Sequence, residues 1–561
     1  MKKMIFILFL FNIFILCAQE EFNAKDSIVL SRFPYTQQVV YICRDTIKNV
    51  DGRFPSFSPM FLIYPDKPCD KKQAQDLIYE LGINEYFHKY TAIVGVVNPL
   101  GDKYDNLRDF EAYKDLINKL RVISNLKIIG IGAGATFVNK VVACNADAVA
   151  GIMSVNGEVG KKEGTPVPAF IAGNRCRVVA HAYVERNGAT IRKNRDGCLY
   201  YTNEKEPLLN VVVGSNKLFS LKDMFAEAWK CIFSKNYRFN NYRHTWYTGC
   251  SFGQYGPYEL EPYIMLDSMG IVRYTVTKDL LGTGTFLWYE YHPKSTIKAP
   301  KGSVPLLILL HGNNNDPRTQ AETSGFIELC AKENFVVAEL EWQGNGYTPM
   351  GLDGIEQVIY YLLKTYPQLD ASRVYAEGLS AGSATATGLG IRKSHLFAAI
   401  GGHSAGLFPN RYSFGFNEEA IVNEAIQKRG WVEMPYFSVV GTSDEVVPFI
   451  NQDNWKNNTF FHAWKVYQIM NGMEVVEKTD FSKYSIFGIK LEDCCNVSTN
   501  KNISMEVGVQ YKDSIPLLKI AIVNNYGHWN FKPDAQLMWK FFSMFARDPV
   551  TKKLIYKIAD K

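Results

Sequence analysis

Three residue types that together activate a hydroxyl group occur in the order Ser380, Asp444, His528. Ser380 lies in Gly378-Leu-Ser-Ala-Gly382, Asp444 in Gly441-Thr-Ser-Asp-Glu-Val-Val-Pro448, and His528 in Tyr526-Gly-His-Trp529. A serine hydroxyl is a poor nucleophile until a neutral imidazole accepts its proton, and a buried carboxylate then fixes the imidazole tautomer and stabilises the imidazolium. Glycines on both sides of Ser380 let the backbone turn sharply and let a strand and a helix approach closely, with the helix N-terminus behind the hydroxyl. The chemistry these residues could do together is acyl transfer. It also needs N–H donors for an oxyanion, expected from Ala381 and from Gly312 and Asn313 in the loop His311-Gly-Asn-Asn-Asn315. It requires no metal and no cofactor.

Each assignment has a competitor in the sequence. Gly402-His-Ser-Ala-Gly406 repeats the spacing of the Ser380 turn, but a close-packing helix is not expected after it, so Ser380 is preferred to Ser404. His403 reads as a pocket-wall or structural residue, and His311 as a brace for the oxyanion loop. Glu445 adjoins Asp444, which has the better turn context. Trp342, Tyr347, Phe414, Phe416 and Trp529 are candidates for an aromatic acyl pocket, Trp342 and Trp529 foremost.

The elements that must position these residues recur along the chain. Apolar runs at Phe61-Leu-Ile-Tyr-Pro65, Ala92-Ile-Val-Gly-Val-Val97 and Lys127-Ile-Ile-Gly130 read as strands, separated by helical stretches at 71–81 and 110–120. Pro305–Leu310, Phe335–Leu340 and Val374–Ala376 repeat the series. Continuous apolar strands alternating with helices imply a mostly parallel sheet covered on both faces. The spacing from Pro65 to Gly132 is 67 residues and that from His311 to Ser380 is 69. Pro207–Val213 likewise resembles Pro516–Ile522, and a Trp-Lys pair follows each, at Trp229-Lys230 and Trp539-Lys540. The chain is therefore expected to hold two copies of one domain. Residues 25–240 form the first, 241–262 a linker, and 263–561 the second, which carries the chemistry. Tyr263–His292 should form an antiparallel edge, and Pro409–Gly430 a lid.

The ordered set His311-Gly312, Asp370-Ala-Ser-Arg-Val-Tyr-Ala-Glu-Gly-Leu-Ser-Ala-Gly382, Phe397-Ala-Ala-Ile-Gly-Gly402, Gly441–Asp444 and Gly527-His528 resembles the α/β-hydrolase superfamily. Within it the likeness is to secreted esterases grouped with poly(3-hydroxybutyrate) depolymerases, feruloyl esterases and acetyl xylan esterases. It covers about Tyr263–Phe545 and implies a serine carboxylic ester hydrolase. The first copy resembles the same fold but departs at each catalytic position: Gly132 stands for the serine, the neighbourhood of Cys176 for the aspartate and Leu218-Phe219 for the histidine. Two tandem α/β-hydrolase-like domains, the first catalytically inactive, are thus expected. A serine peptidase of the same fold and a non-catalytic binding protein are the alternatives.

Composition sets the remaining bounds. At 561 residues, 47% hydrophobic and 21% charged, the chain is globular and long enough for several cores. Lys2-Lys3, an apolar run from Met4 to Leu16 and Cys17-Ala18 read as a secretory signal, residues 1–18, too short to span a bilayer. Its removal lowers the formal charge from +6 to +4, and no basic run interleaved with aromatics suggests nucleic acid. A secreted or periplasmic protein with no membrane partner is expected, acting on an ester substrate that could be polymeric. Cysteine spacing suggests neither zinc nor a disulfide scaffold, though Cys494-Cys495 and Cys176 with Cys198 are candidates for oxidation.

Overall fold

A computed structural model describes residues 29–32, 39–44, 59–86, 92–120, 125–215, 217, 220–239, 259–408, 417–498 and 503–557. The signal segment 1–18, nearly all of the linker, Leu218-Phe219, Phe414 and Phe416 lie outside the described residues. The chain divides into two compact units whose sequences meet between Tyr237 and Arg238.

The first unit is built on a sheet of ten strands. From one edge to the other they are Val29–Arg32, Val39–Arg44, Ile93–Val97, Met60–Tyr64, Leu126–Ile131, Val149–Val155, Ala169–Ala172, Val211–Val213, Cys198–Thr202 and Ile191–Arg195. The second unit repeats this with Ile271–Lys278, Phe286–Pro293, Val336–Leu340, Val304–Leu310, Leu369–Gly378, Ala399–His403, Tyr436–Gly441, Ile515–Val523, Ser504–Lys512 and Glu492–Ser498. Numbered in chain order within each unit, both sheets read 1-2-4-3-5-6-7-10-9-8. The pairing senses agree too: the central strands run parallel, and antiparallel pairs close both edges. Each unit thus has the expected architecture, a mostly parallel sheet of the α/β-hydrolase type.

Residue type explains the layout. Val304–Leu310 is buried at every position, because a central parallel strand has helices on both faces. Phe61, Ile63, Val94 and Val96 are packed with Phe225, Trp229 and Phe233 in the first core. The second gathers Ile308, Leu310, Ala338, Ala376, Ile400 and Val440 beneath Trp464 and Tyr467.

Three elements differ from expectation. The alternating segment Tyr263–His292 holds the edge strand Ile271–Lys278 but also Phe286–Pro293, which is buried throughout as the second strand in. Its inward polar groups satisfy one another: Glu290 accepts from Trp288 Nε1 at 2.8 Å and Tyr366 Oη at 2.6 Å, and lies 3.0 Å from His292 Nε2. The strand expected over Pro207–Val213 forms only at Val211–Val213, since its antiparallel neighbour has five residues where the second copy's has nine. The described part of the lid segment is a helix, Glu418–Arg429, capped by Asn417, with Ile421, Val422 and Ala425 buried in the core.

Candidate active site

Strand Leu369–Gly378 leads into helix Ala381–Arg392 with one residue of unusual backbone, Ser380, at φ 54° and ψ −116°. The neighbouring glycines are dictated by contact rather than by flexibility. A Cβ on Gly378 would lie 2.3 Å from the Gly382 carbonyl carbon, and one on Gly382 would lie 2.0 Å from the Leu310 carbonyl oxygen. The turn is thereby pressed against the end of the strand that feeds the His311–Asn315 loop. Ser380 N–H donates to the His403 carbonyl at 2.8 Å, which fixes the turn on the next strand. Ser380 itself is half-buried, whereas Ser404 is only 2% exposed.

Asp444 and His528 follow the strands Tyr436–Gly441 and Ile515–Val523, which are neighbours in the sheet. His528 Nδ1 lies 2.7 Å from Asp444 Oδ2, and both side chains are buried. Asp444 Oδ1 accepts from the N–H groups of Val446 and Val447, each at 2.8 Å. Three contacts thus hold the carboxylate in one orientation, with the imidazole Nδ1–H as donor. The loops bearing Ser380, Asp444 and His528 all leave the carboxyl ends of parallel strands within a run of four neighbours.

The expected oxyanion loop is braced from below. His311 is fully buried between the Gly312 carbonyl, 2.7 Å from Nδ1, and Glu341 Oε1, 3.2 Å from Nε2. Gly312 is close to the turn, for a Cβ there would meet Asn315 Nδ2 at 2.7 Å and Leu379 Cδ2 at 3.5 Å. Asn313 is exposed, and its Oδ1 accepts from Gln343 at 2.9 Å. Trp342 is half-buried and donates Nε1–H to the His311 carbonyl at 2.9 Å. Trp529 is buried, with Nε1–H on Thr323 Oγ1 at 3.1 Å. The structure brings Ser380, the 311–315 loop and Trp342 to the ends of three neighbouring strands and couples Asp444 to His528. Trp529, by contrast, anchors the His528 loop into the fold.

The first unit repeats the turn without the hydroxyl. Gly132, at φ 56° and ψ −117°, precedes helix Ala133–Lys140, and its N–H donates to Val155 O at 2.9 Å. A Cβ on Gly134 would lie 2.0 Å from the Tyr64 carbonyl oxygen, as Gly382 does from Leu310. Asp66, matching Gly312 in the strand register, was not foreseen from the sequence. Its Oδ1 accepts the Ala133 N–H at 2.7 Å and lies 1.9 Å from where a Cβ on Gly132 would be. A carboxylate at a helix N-terminus is electrostatically favourable. Here it occupies both the donor and the space that a serine side chain would need.

Sequence reasoning also missed the buried carboxylates behind Ser380. Glu377 Oε1 lies 2.8 Å from His403 Nδ1, and Asp534 Oδ2 lies 2.6 Å from His403 Nε2. All three are buried, and His403 braces the turn from within rather than lining a pocket wall. Burial by itself would lower the imidazole pKa, but Asp534 and Glu377 pull it up to about 10. Burial holds both carboxyl groups above their ordinary range. The signal available was Glu377 directly after the apolar run Val374-Tyr-Ala376.

Eight cysteines carry free thiols, Cys176, Cys198, Cys494 and Cys495 among them. Among the described residues no cluster of His, Cys, Asp and Glu is arranged for a metal, and no helix is long and apolar enough to cross a membrane.

No family model and no curated protein matches the sequence. Among solved structures the chain is similar to an acetyl xylan esterase from Aspergillus awamori, at 14% identity and TM-score 0.34, over 48% of this chain and 99% of that one. It is similar to a feruloyl esterase module from Clostridium thermocellum complexed with sinapinate, at 12% identity and TM-score 0.32, over 49% and 88%. An S-formylglutathione hydrolase from Staphylococcus aureus aligns at 15% identity and TM-score 0.27, over 33% and 83%. These neighbours are esterases and hydrolases of the α/β type.

Proposed function

We propose that the second unit is a secreted serine carboxylic ester hydrolase with Ser380 as nucleophile, His528 as general base and acid, and Asp444 orienting the imidazole. The observation that carries the reading is the buried 2.7 Å contact between His528 Nδ1 and Asp444, on loops that leave the same sheet as a serine held in a strained strand-to-helix turn. With Nδ1–H committed to Asp444, Nε2 is the basic nitrogen that takes the Ser380 proton. It later returns that proton to the leaving alcohol. The backbone N–H of Ala381, at the helix N-terminus, and that of Gly312 or Asn313 serve as donors to the tetrahedral oxyanion. Trp342 is placed beside the same loop to form one wall of the acyl site.

The acyl groups that suit this reading are those of acylated polysaccharides, hydroxycinnamoyl esters or polyhydroxyalkanoates. The first unit is an inactive copy: it has no hydroxyl at Gly132, and Asp66 fills the donor position. Its role is to bind a polymeric substrate. A panel of acetyl, feruloyl and hydroxybutyrate esters set against aminoacyl amides tests the assignment. Turnover of at least one ester class, abolished in Ser380→Ala, is the expected result. Cleavage confined to the amides would make the protein a peptidase instead.

A further inference from the structure

The two units offer an internal comparison, because one backbone solution is carried out with two sets of side chains. Strand register equates Glu377 with Ile129 and His403 with Val155, and the shared Trp-Lys pair equates Asp534 with Met224. In the first unit these are apolar, with Ile129 and Val155 fully buried in one cluster and Met224 partly buried against that cluster. Glu339, beside Glu377 across Leu309, corresponds to Val96 in that same cluster. The turn does not depend on the choice, for Gly132 N–H on Val155 O is 2.9 Å and Ser380 N–H on His403 O is 2.8 Å. A fold that closes well over Ile, Val and Met has, in the copy with the serine, accepted three buried ionisable groups. Burying charge is unfavourable, and apolar replacements of buried ion triads are often neutral or stabilising. Stability alone therefore does not account for them.

Their placement does. Glu377 is three residues before Ser380. His403 bonds the Ser380 amide through its own carbonyl. Asp534 opens helix Asp534–Ser543, directly after the loop that carries His528. The imidazole, bonded through both nitrogens, is a rigid link of 2.8 Å and 2.6 Å between the nucleophile strand and the helix behind the base. We infer that Glu377, His403 and Asp534 are positioning residues that hold the Ser380 turn and the His528 loop in register for proton transfer. The inference rests on the triad reading above. A misplacement of about 1 Å by a change remote from the chemistry can lower turnover about 10²-fold.

The test is the triple variant Glu377→Ile/His403→Val/Asp534→Met, which installs the first unit's solution in the full chain. Steady-state kinetics on whichever ester the wild type turns over would be normalised by fluorophosphonate active-site titration, with thermal melting alongside. The inference expects a fold melting no lower than wild type, kcat reduced about 10²-fold, KM within about threefold, and slower fluorophosphonate labelling. Wild-type kcat in the folded triple variant would overturn it. If the triple variant does not fold, Asp534→Asn decides. It keeps the acceptor and removes the charge, and a roughly tenfold fall in kcat at constant KM supports the inference while unchanged kcat overturns it. Failure of the triad reading is distinguishable, since the wild type itself would then not label at Ser380.

Discussion

Ser380 and Gly132 occupy the same backbone conformation to within 2° in φ and 1° in ψ, and only one of them has a Cβ. For a residue with a side chain such a conformation costs of the order of 1–3 kcal/mol, whereas glycine adopts it freely. Ser380→Gly therefore removes the strain, and loses roughly 0.5–1 kcal/mol to the greater entropy of the unfolded chain. Ser380→Ala removes the same hydroxyl but keeps the Cβ and the strain. The glycine variant should accordingly be the more stable of the two by about 1 kcal/mol, or roughly 2–4 °C in Tm. Both lack the hydroxyl, so any loss of activity cancels and the comparison reads backbone strain less the glycine entropy term. Urea denaturation, with midpoints compared at equal slope, is the assay. The first unit supplies the converse, because Gly132→Ala adds the strain and drives a Cβ to within 1.9 Å of Asp66 Oδ1. It should destabilise by roughly 2–4 kcal/mol, part of which Asp66→Ala in the same chain would recover. If Ser380→Ala proved more stable than Ser380→Gly by the roughly 0.5–1 kcal/mol of the glycine entropy term, the turn would carry no strain.

Further outcomes follow from the site. Ser380→Ala should abolish ester turnover without unfolding, while Ser404→Ala, at a buried serine, keeps most of it in the same assay. Asp444→Asn leaves the imidazole bonded in the wrong tautomer and should reduce kcat by about 10⁴-fold at similar KM, measured on the ester the wild type prefers. The pH dependence of stability follows from His403, whose pKa is raised to about 10 in the fold. A raised pKa contributes stability below the unfolded value of ~6.5 that is lost as pH climbs through about 10, at most on the order of 5 kcal/mol. Glu377, Asp534 and Glu339, raised by burial, act in the same direction at lower pH. Wild-type urea midpoints should thus fall from pH 7 to 10, and those of the Glu377→Ile/His403→Val/Asp534→Met variant should fall less.

Much of this was legible in the sequence for physical reasons. Central parallel strands such as Val304–Leu310 and Met60–Tyr64 are apolar at nearly every position, and glycines at 378 and 382 mark a close approach that no larger residue permits. The duplication was readable because its spacing is set by the strands and crossover helices between the first strand and the turn, which keep nearly the same total length in both copies. What was not legible depends on contacts between distant segments. Glu377, His403 and Asp534 are separated by up to 157 residues, and no local pattern announces that they meet. Asp66 reads as a turn residue until the fold places it over the Gly132 turn. Phe286–Pro293 alternates like an edge strand, and only the pairing of its polar groups shows why it is buried.

The proposed function requires that one serine in the chain, Ser380, be activated for acyl transfer. Labelling the full-length protein with a fluorophosphonate, then measuring intact mass and mapping the modified peptide, tests it most directly. A single adduct on the peptide containing Ser380, absent in Ser380→Ala and strongly slowed in a variant lacking the His528 imidazole, is the predicted result. An adduct on Ser404 or anywhere in residues 59–237, or no adduct on folded protein, would contradict it.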